Sequence, residues 1–278
     1  IYGLLVGGIF ISQFHFGIIG PTPELALIAG NIFAYIASPK RKLNLKLKAR
    51  KELAPGVYDF AFVGNQKLAF QPGQYLEWTL GNVDFDSRGN RRTFSIASAP
   101  DDAELHIGIK TYQPGSNFKK ALLAMQPGDH IAAGQLAGNF TLPRDNQQKL
   151  AFIAGGIGIT PFVSMAKDMI KRQQNRDVVL FYLVSKPAEF CYQEVWKQAA
   201  NFGVRVVPVL TSDENPPSSW LGRTGRLTDE ILRKELPDYT KRRYYISGPN
   251  ALVQAYTSIL IKLKISRRSI VTDHFSGY

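Results

Sequence analysis

The chain of 278 residues holds a single cysteine, Cys191. One thiol excludes a disulfide framework, and it excludes any four-cysteine zinc or iron–sulfur centre built from this chain alone. Histidine is nearly as scarce: His15, His106, His130 and His274 are scattered, without the spacing of metal ligands. Acidic residues are outnumbered, 22 against 34 Lys and Arg, which leaves a net charge of +12. That balance favours an acidic protein, an anionic membrane surface or phosphate-bearing ligands. No nucleic-acid recognition motif accompanies it, which argues against a nucleic-acid partner. There is no internal repeat. What the chain does have is apolar content, 45% of residues, enough at this length for two cores.

Residues 1–20 are apolar and glycine-rich, broken only by Ser12, Gln13 and His15. Pro21-Thr-Pro23-Glu24 interrupts the run, and 25–37 is apolar again. No basic region precedes the first stretch, so a secretory signal peptide fits poorly. The second stretch is short of the roughly 20 residues of a span, but extended back to Ile18 it reaches that length. Residues 1–39 therefore read as a membrane hairpin or anchor, or as one span with a re-entrant piece, with a buried soluble hairpin as the alternative. The chain starts with Ile, which reads as part of a longer membrane domain. Lys40-Arg41-Lys42 and the basic residues to Lys51 place the remainder on the cytoplasmic side of a cell membrane by the positive-inside rule. His15 inside an apolar helix is a candidate haem ligand or proton carrier, or equally a packed, hydrogen-bonded histidine.

From Leu43 the period changes to two. Leu43, Leu45, Leu47 and Ala49 alternate with polar residues, and five further short strands follow at 57–63, 74–80, 91–98, 104–112 and 129–135. Pro-Gly and Asp-rich turns separate them, and one helix is expected near 117–125. Six antiparallel strands at this spacing predict a small closed β-barrel over 43–146. From 147 to the end, apolar strands alternate with amphipathic helices: strands at 149–154, 178–184, 204–210, 243–247 and 269–273, helices at 161–173, 189–200, 228–235 and 250–263. That alternation predicts an α/β domain with a parallel sheet.

Three stretches carry chemistry. In Gly155-Gly156-Ile-Gly158-Ile-Thr160-Pro161 the glycines allow a tight turn and close approach to a ligand, Thr160 suits an N-cap and Pro161 the first helical position. A helix start there offers N–H groups to a pyrophosphate. Pro161 stands where the dinucleotide fingerprint has its third glycine, so an ordinary strand–turn–helix remains open. Along Arg91-Arg92-Thr93-Phe94-Ser95, Arg92 and Phe94 share one face and Ser95 the other. Such a strand can surround a planar ligand or be plain surface. Gly115-Ser116-Asn117 opens the lone helix, as a phosphate site or a simple cap.

Taken in order, these pieces resemble the ferredoxin–NADP reductase superfamily. Arg92-Thr-Phe94-Ser95 resembles its flavin-binding Arg-x-Tyr/Phe-Ser, preceded by Gln71-Pro-Gly73-Gln74-Tyr75 and followed by Gly115-Ser116 and Pro127-Gly128-Asp129. Gly155 to Pro161 matches the NAD(P) pyrophosphate turn, and Ser247-Gly248-Pro249 stands where the family has Cys-Gly-Pro. The resemblance covers 43–278. It implies FAD on the barrel, with Arg92 at the pyrophosphate, Phe94 against the isoalloxazine, Ser95 near flavin N5 and Ser116 at the phosphate, and with Tyr75, Thr93, Gly115 and Asn117 as further cofactor-binding residues. It places the nicotinamide nucleotide on Gly155, Gly156, Gly158, Thr160, Pro161, Gly248 and Pro249, with hydride passing between nicotinamide and flavin. Ser247 in place of cysteine departs from the pattern but keeps a small polar group near the nicotinamide, a catalytic candidate with Ser95. The tail Asp273-His274-Phe275-Ser276-Gly277-Tyr278 resembles the family's acidic-x-Phe ending, which makes Phe275 or Tyr278 a gate over the flavin.

Ser185 and Lys186 after the second parallel strand, with Arg226 or Arg223 downstream, favour a ribose 2′-phosphate and hence NADPH, while Glu189 keeps NADH open. The amino-terminal stretch faintly resembles the end of an Rnf/Nqr-type membrane subunit; a haem-bearing membrane branch lacks its histidine spacing here. The sequence thus predicts a membrane-tethered flavoprotein reductase passing electrons from NAD(P)H through FAD to a one-electron or membrane acceptor. Reduction of NADP⁺ from an acidic ferredoxin-like donor, and a non-catalytic nucleotide-binding module of a membrane electron-transport complex, are the alternatives.

Overall fold

The computed structural model describes residues 23–37, 42–81, 87, 89–112, 115–212, 216–218 and 220–275. Contacts divide the chain into two compact units, Ile1–Arg41 and Lys42–Tyr278. In the first, the described element is α1 (Pro23–Ala37), 15 residues long. At 1.5 Å per residue it is about 22 Å long, short of a hydrocarbon core of about 30 Å. Among the described residues no helix is long and apolar enough to cross a membrane. The span expected from Ile18 thus begins at Pro23 in its described part; His15 and the first apolar stretch lie outside the described residues.

The second unit opens with an antiparallel sheet of β1 (Leu43–Ala54), β2 (Val57–Gly64), β3 (Tyr75–Thr79), β4 (Arg91–Ser95), β5 (Leu105–Lys110) and β6 (His130–Ala137), in the order β4-β3-β6-β1-β2-β5. Leu43, Leu45 and Leu47 are buried as their period requires, but Ala49 is exposed. A register shift between Leu47 and Ala49 in the pairing with β2 flips the alternation there. The barrel is not fully closed. β4 and β5 are its two edges, joined just past β4 by the Ile96–Ile107 bridge and the Ala97 N–H to His106 carbonyl bond of 2.8 Å. Between the edges α2 (Asn117–Ala124) plugs the interior with Phe118 and Leu122, both wholly buried among Phe60, Phe62 and Trp78. Truncating Phe118 to Ala would cost about 3–5 kcal/mol by the usual cavity penalty.

Segment 138–149 leads to a parallel sheet of β7 (Leu150–Gly155), β8 (Val178–Val184), β9 (Val204–Leu210), β10 (Arg223–Thr224), β11 (Arg243–Pro249) and β12 (Ile270–Phe275), in the order β10-β9-β8-β7-β11-β12. Helices α3 (Thr160–Lys171), α4 (Gln193–Ala199), α5 (Asp229–Glu235) and α6 (Asn250–Lys262) connect them. All side chains of β7 and β8 are buried, because two apolar clusters cover the two faces of the sheet. The two-residue β10 has no signal in the sequence. The helix expected over 189–200 is shorter: Pro187–Glu189 forms a 3₁₀ turn, and Tyr192 at φ 60° breaks the chain direction before α4 starts. The chain builds outward from β7 on one side, then returns to lay β11 on the other. The switch point therefore lies between β7 and β11, where the fold places ligands at the strands' carboxyl ends.

Candidate functional site

Because β4 and β5 do not pair along their length, a cavity of about 580 Å³ opens at the split. From the barrel, the five consecutive residues Arg91 to Ser95 line it, with Tyr75, Lys110 and Ser116. From the parallel-sheet side come Ile157, Thr160, Thr272, Asp273 and His274. The alternation that puts Arg92 and Phe94 on one face and Ser95 on the other is real, yet all three reach the cavity because it runs along an edge strand.

Each barrel residue is fixed by its neighbours. The Arg92 guanidinium donates to the carbonyls of Gly89 (3.0 Å) and Arg91 (2.7 Å) and lies 5.4 Å from the centre of the Phe118 ring. Phe94 packs against the same ring at 6.0 Å. Arg91 is held by Glu77 at 3.3 Å. Ser116 caps α2, its Oγ accepting from the Lys119 N–H at 3.3 Å, and also faces the cavity, so the cap and the ligand-facing hydroxyl are one residue. Gly115 and Asn117 flank it without being among the lining residues. Lys110 and Lys119 are cations the motif left out: Lys119 Nζ donates to the Lys110 carbonyl at 2.7 Å, and both ammonium groups sit over the Tyr112 ring at 5.3 and 5.9 Å. Isolated lysines on a strand and a helix carry no sequence signal.

The glycine turn differs from its expected form. Gly156–Ile159 is a 3₁₀ turn that runs into α3, so Ile159 is the cap residue and Thr160 is already helical. Thr160 Oγ1 donates back to the Ile157 carbonyl at 3.2 Å rather than capping, and Pro161 follows within the first turn. The glycines also divide their work. Gly156 adopts φ 52° with open space where a side chain would stand. A Cβ on Gly158 would lie 2.6 Å from the Ser247 carbonyl carbon and 2.7 Å from the Gly248 Cα, so this glycine lets the turn pack on the end of β11. Gly155 and Gly248 likewise touch backbone to backbone, at 3.3 Å from a Gly248 Cβ position. The two motifs at the switch point are thus one packed unit.

Ser247 is wholly buried and donates to Asp273 Oδ2 at 3.4 Å. Asp273, on β12, faces the cavity that Ser95 lines. Burial raises its pKa above the ordinary carboxylate value, against hydrogen bonds from Ser247 and Ser95 and the nearby His274. Asp273 is the residue a site reading from the tail motif passes over in favour of its aromatics; the acidic-x-Phe pattern was its signal. The backbone of Phe275 pairs with Pro249, while its side chain, like Tyr278, lies outside the described residues.

Ser185, Lys186 and Arg226 are not brought to this cavity. Glu189, the carboxylate that keeps NADH open, is bonded to Lys110 Nζ at 2.8 Å and accepts from the Ser185 N–H at 3.4 Å. Arg223 is paired with Glu235 through its Nε at 2.8 Å, whereas Arg226 is exposed. Cys191 is buried, and burial pushes its thiol up to about 11, which removes it as a nucleophile.

Known proteins share this arrangement. Residues 152–258 match the oxidoreductase NAD-binding domain family. The chain is 27% identical over 237 residues to the phenol hydroxylase P5 protein of Acinetobacter pittii, covering 81% of this chain and 63% of that protein. It is 28% identical over 237 residues to the xylene/toluene monooxygenase electron transfer component XylA of Pseudomonas putida, covering 82% and 64%. The chain thus spans just under two thirds of either relative. Among solved structures, the Amycolatopsis cytochrome P450 reductase GcoB superposes with a TM-score of 0.74 at 25% identity, covering 84% of this chain and 70% of that one. An antiparallel barrel split beside a parallel sheet, the Arg-x-Phe-Ser strand at the split and the glycine turn at the switch point agree with these matches, which together support a ferredoxin–NADP reductase-like FAD- and NAD(P)-binding oxidoreductase.

Proposed function

We propose that the chain is a reductase module that oxidises NAD(P)H through FAD and passes the electrons on singly to a protein or membrane acceptor. The observation that carries this reading is the cavity at the barrel split, where Arg92, Phe94, Ser95 and Ser116 meet Thr160 at the start of α3 and Asp273 on β12.

The residues present fit the two nucleotides. Arg92 and the Ser116 end of α2, with Lys110 and Lys119 nearby, form the cationic donor set a pyrophosphate needs. Tyr75 and Phe94 offer aromatic faces for a planar ring system. Gly156, with its positive φ and unfilled Cβ position, leaves room for a second pyrophosphate at the start of α3. Bound there, FAD supplies the exchange between a two-electron donor and one-electron acceptors. The protein's part is to hold the two rings face to face and dry. Burial favours the protonated form of Asp273, and Ser95, hydrogen-bonded to that carboxyl, lines the same cavity. Ser247 orients Asp273 from behind rather than meeting the nicotinamide, since it is fully buried.

NADPH is the favoured donor. Glu189 is occupied by Lys110, which removes the carboxylate that would hold a free ribose hydroxyl, while Lys186 and Arg226 remain exposed. Tethering to the cytoplasmic face of a membrane is supported by the apolar α1, whose Leu25, Ile28, Ile32 and Phe33 are exposed, and by the basic run that follows it. The net charge of +12 suits an acidic redox partner.

The reading predicts that the purified chain is yellow and that anaerobic NADPH bleaches it. NADPH should outpace NADH by roughly tenfold or more, as loss of one charged contact gives, and Lys186→Glu should narrow that ratio. A colourless protein that takes up no flavin on reconstitution would end the proposal. Turnover compared across dyes, ferredoxin-type proteins and quinones would identify the acceptor class.

A further inference from the structure

Tyr192 is an aromatic residue held in the left-handed region, at φ 60°. Such a conformation persists only where its surroundings fix it. What fixes it lies in the barrel: the Tyr192 hydroxyl donates to Asp59 Oδ1 at 2.9 Å, and the other oxygen of Asp59 is 2.6 Å from His106 Nδ1. Asp59 is on β2 and His106 on β5, while Tyr192 belongs to the segment after β8, so this tie joins the two sheets. Its place is set by register. Asp59 pairs with Gly108 on the neighbouring strand β5, and a Cβ on Gly108 would fall 2.6 Å from the Tyr192 hydroxyl, 2.7 Å from Thr160 Cγ2 and 3.2 Å from Ile157 Cδ1. One glycine on β5 thus bears both the tyrosine and the start of the nucleotide turn, and Gly108 itself lines the cavity. Three residues earlier in the same segment, Glu189 reaches Lys110 on the same strand.

We infer that Tyr192, anchored through Asp59 and His106, is a positioning residue that presses the 156–160 turn onto β5 and so sets the separation of nicotinamide and flavin. In this role it presupposes the NAD(P)H–FAD reaction proposed above. It touches neither ring. Its hydroxyl acts by fixing where Ile157 and Thr160 come to rest on Gly108.

The test uses the full chain and three variants, Tyr192→Phe, Asp59→Ala and Asp59→Asn. A misplacement of about 1 Å can cost about a hundredfold in rate; removing one hydroxyl from a packed ring should shift the turn by less, and a fall of roughly tenfold is expected in the limiting rate of flavin bleaching at saturating NADPH. Half-saturating NADPH and flavin content should stay within about twofold, since neither nucleotide's contacts change. Asp59→Asn, which keeps an oxygen for the tyrosine hydroxyl, should retain most of the rate that Asp59→Ala loses. In flavin-free protein, amide exchange over 105–110 and 156–160 should quicken in Tyr192→Phe while 178–184 stays protected. The inference is overturned if Tyr192→Phe bleaches as fast as the parent, if Asp59→Asn is as slow as Asp59→Ala, or if exchange over 156–160 does not change. Should Tyr192→Phe fail to fold, the Asp59 pair decides alone. An unmutated protein that NADPH and NADH both fail to bleach removes the reaction itself and this role with it, a failure distinguishable because it appears before any substitution.

Discussion

The strands β4 and β7 end at the same cavity region and work in opposite ways. β4 is an edge strand with every residue but Ser95 at least partly exposed, and its chemistry is carried by side chains: a guanidinium, an aromatic ring, a hydroxyl. β7 is the central strand of its sheet, with no side chain exposed, so whatever it offers a ligand has to come from the backbone past its end. An edge strand has room for side chains because no neighbour covers it. A central strand has only its terminus, and there glycine lets main-chain N–H groups approach a ligand closely. A side-chain site should lose function residue by residue. A backbone site should be insensitive until its path is bent, and then fail together with local folding.

The sharpest way to break that contrast is Gly158→Ala. The new Cβ would meet the Ser247 and Gly248 backbone, which has no flexible end to yield. Overpacking of this kind costs roughly 1–3 kcal/mol, and it should show as a lowered denaturation midpoint together with loss of nicotinamide-nucleotide binding. Gly156→Ala meets no atom within 4 Å and carries only the strain of its φ of 52°. It should stay closer to the parent in stability and lose nucleotide affinity alone. Equal stability losses in the two variants would show that the turn is not divided between packing and binding.

The same contrast explains what the sequence disclosed. Side-chain chemistry on an edge strand is legible as residue types in order, and Arg92, Phe94, Ser95 and Ser116 do line one cavity. The strands 178–184 and 204–210 match their expected bounds because short runs rich in valine and bounded by turns favour a strand. Backbone arrangements are less legible. That Gly158 serves the packing of β11, and that Thr160 sits inside a helix entered through a 3₁₀ turn, depends on which strands are neighbours, and the sequence does not state the sheet order. Partners brought from afar are hidden for the same reason: Glu189 looked available to a ribose until Lys110, 79 positions away, reached it. The short β10 and the left-handed Tyr192 follow from tertiary contacts that override local preference.

On the side-chain half of the contrast, Arg92→Ala should remove one charged contact to the proposed flavin pyrophosphate, and from the barrel only surface contacts such as those with the Gly89 and Arg91 carbonyls and the Phe118 ring. Loss of a hydrogen bond to a charged group is worth about 1.5–3 kcal/mol, or roughly 10- to 150-fold in the dissociation constant. Flavin should wash out on gel filtration and return at higher concentration, with the thermal transition of the flavin-free protein within about 2 °C of the parent, as for a partly exposed substitution. Retention of flavin at parental affinity would move the pyrophosphate away from Arg92, toward Lys110 and Lys119.

Asp273→Asn sharpens the point where the two halves meet, and its effect on stability is the smallest. Burial raises the Asp273 pKa in the folded protein, so the folded state holds this proton to a higher pH than the unfolded chain does. Stability therefore falls as pH rises from the ordinary carboxylate value, about 3.9, through the raised one, and is constant beyond it. Asparagine removes that penalty while still accepting from Ser247 and Ser95, so the variant should melt higher near neutral pH. A gain within about 2–4 °C corresponds to 1 kcal/mol in a domain of this size, and it should vanish below about pH 3, where both states of the parent are protonated. Its rate should move the other way. If the protonated Asp273 carboxyl, acting through Ser95, stabilises the charge that the hydride would bring to the flavin, bleaching in the parent slows as pH rises through the raised pKa, and in Asp273→Asn the profile is flat and low. A variant with the parent's pH profile would leave Asp273 a buried hydrogen-bond acceptor for two serines, with no part in the rate.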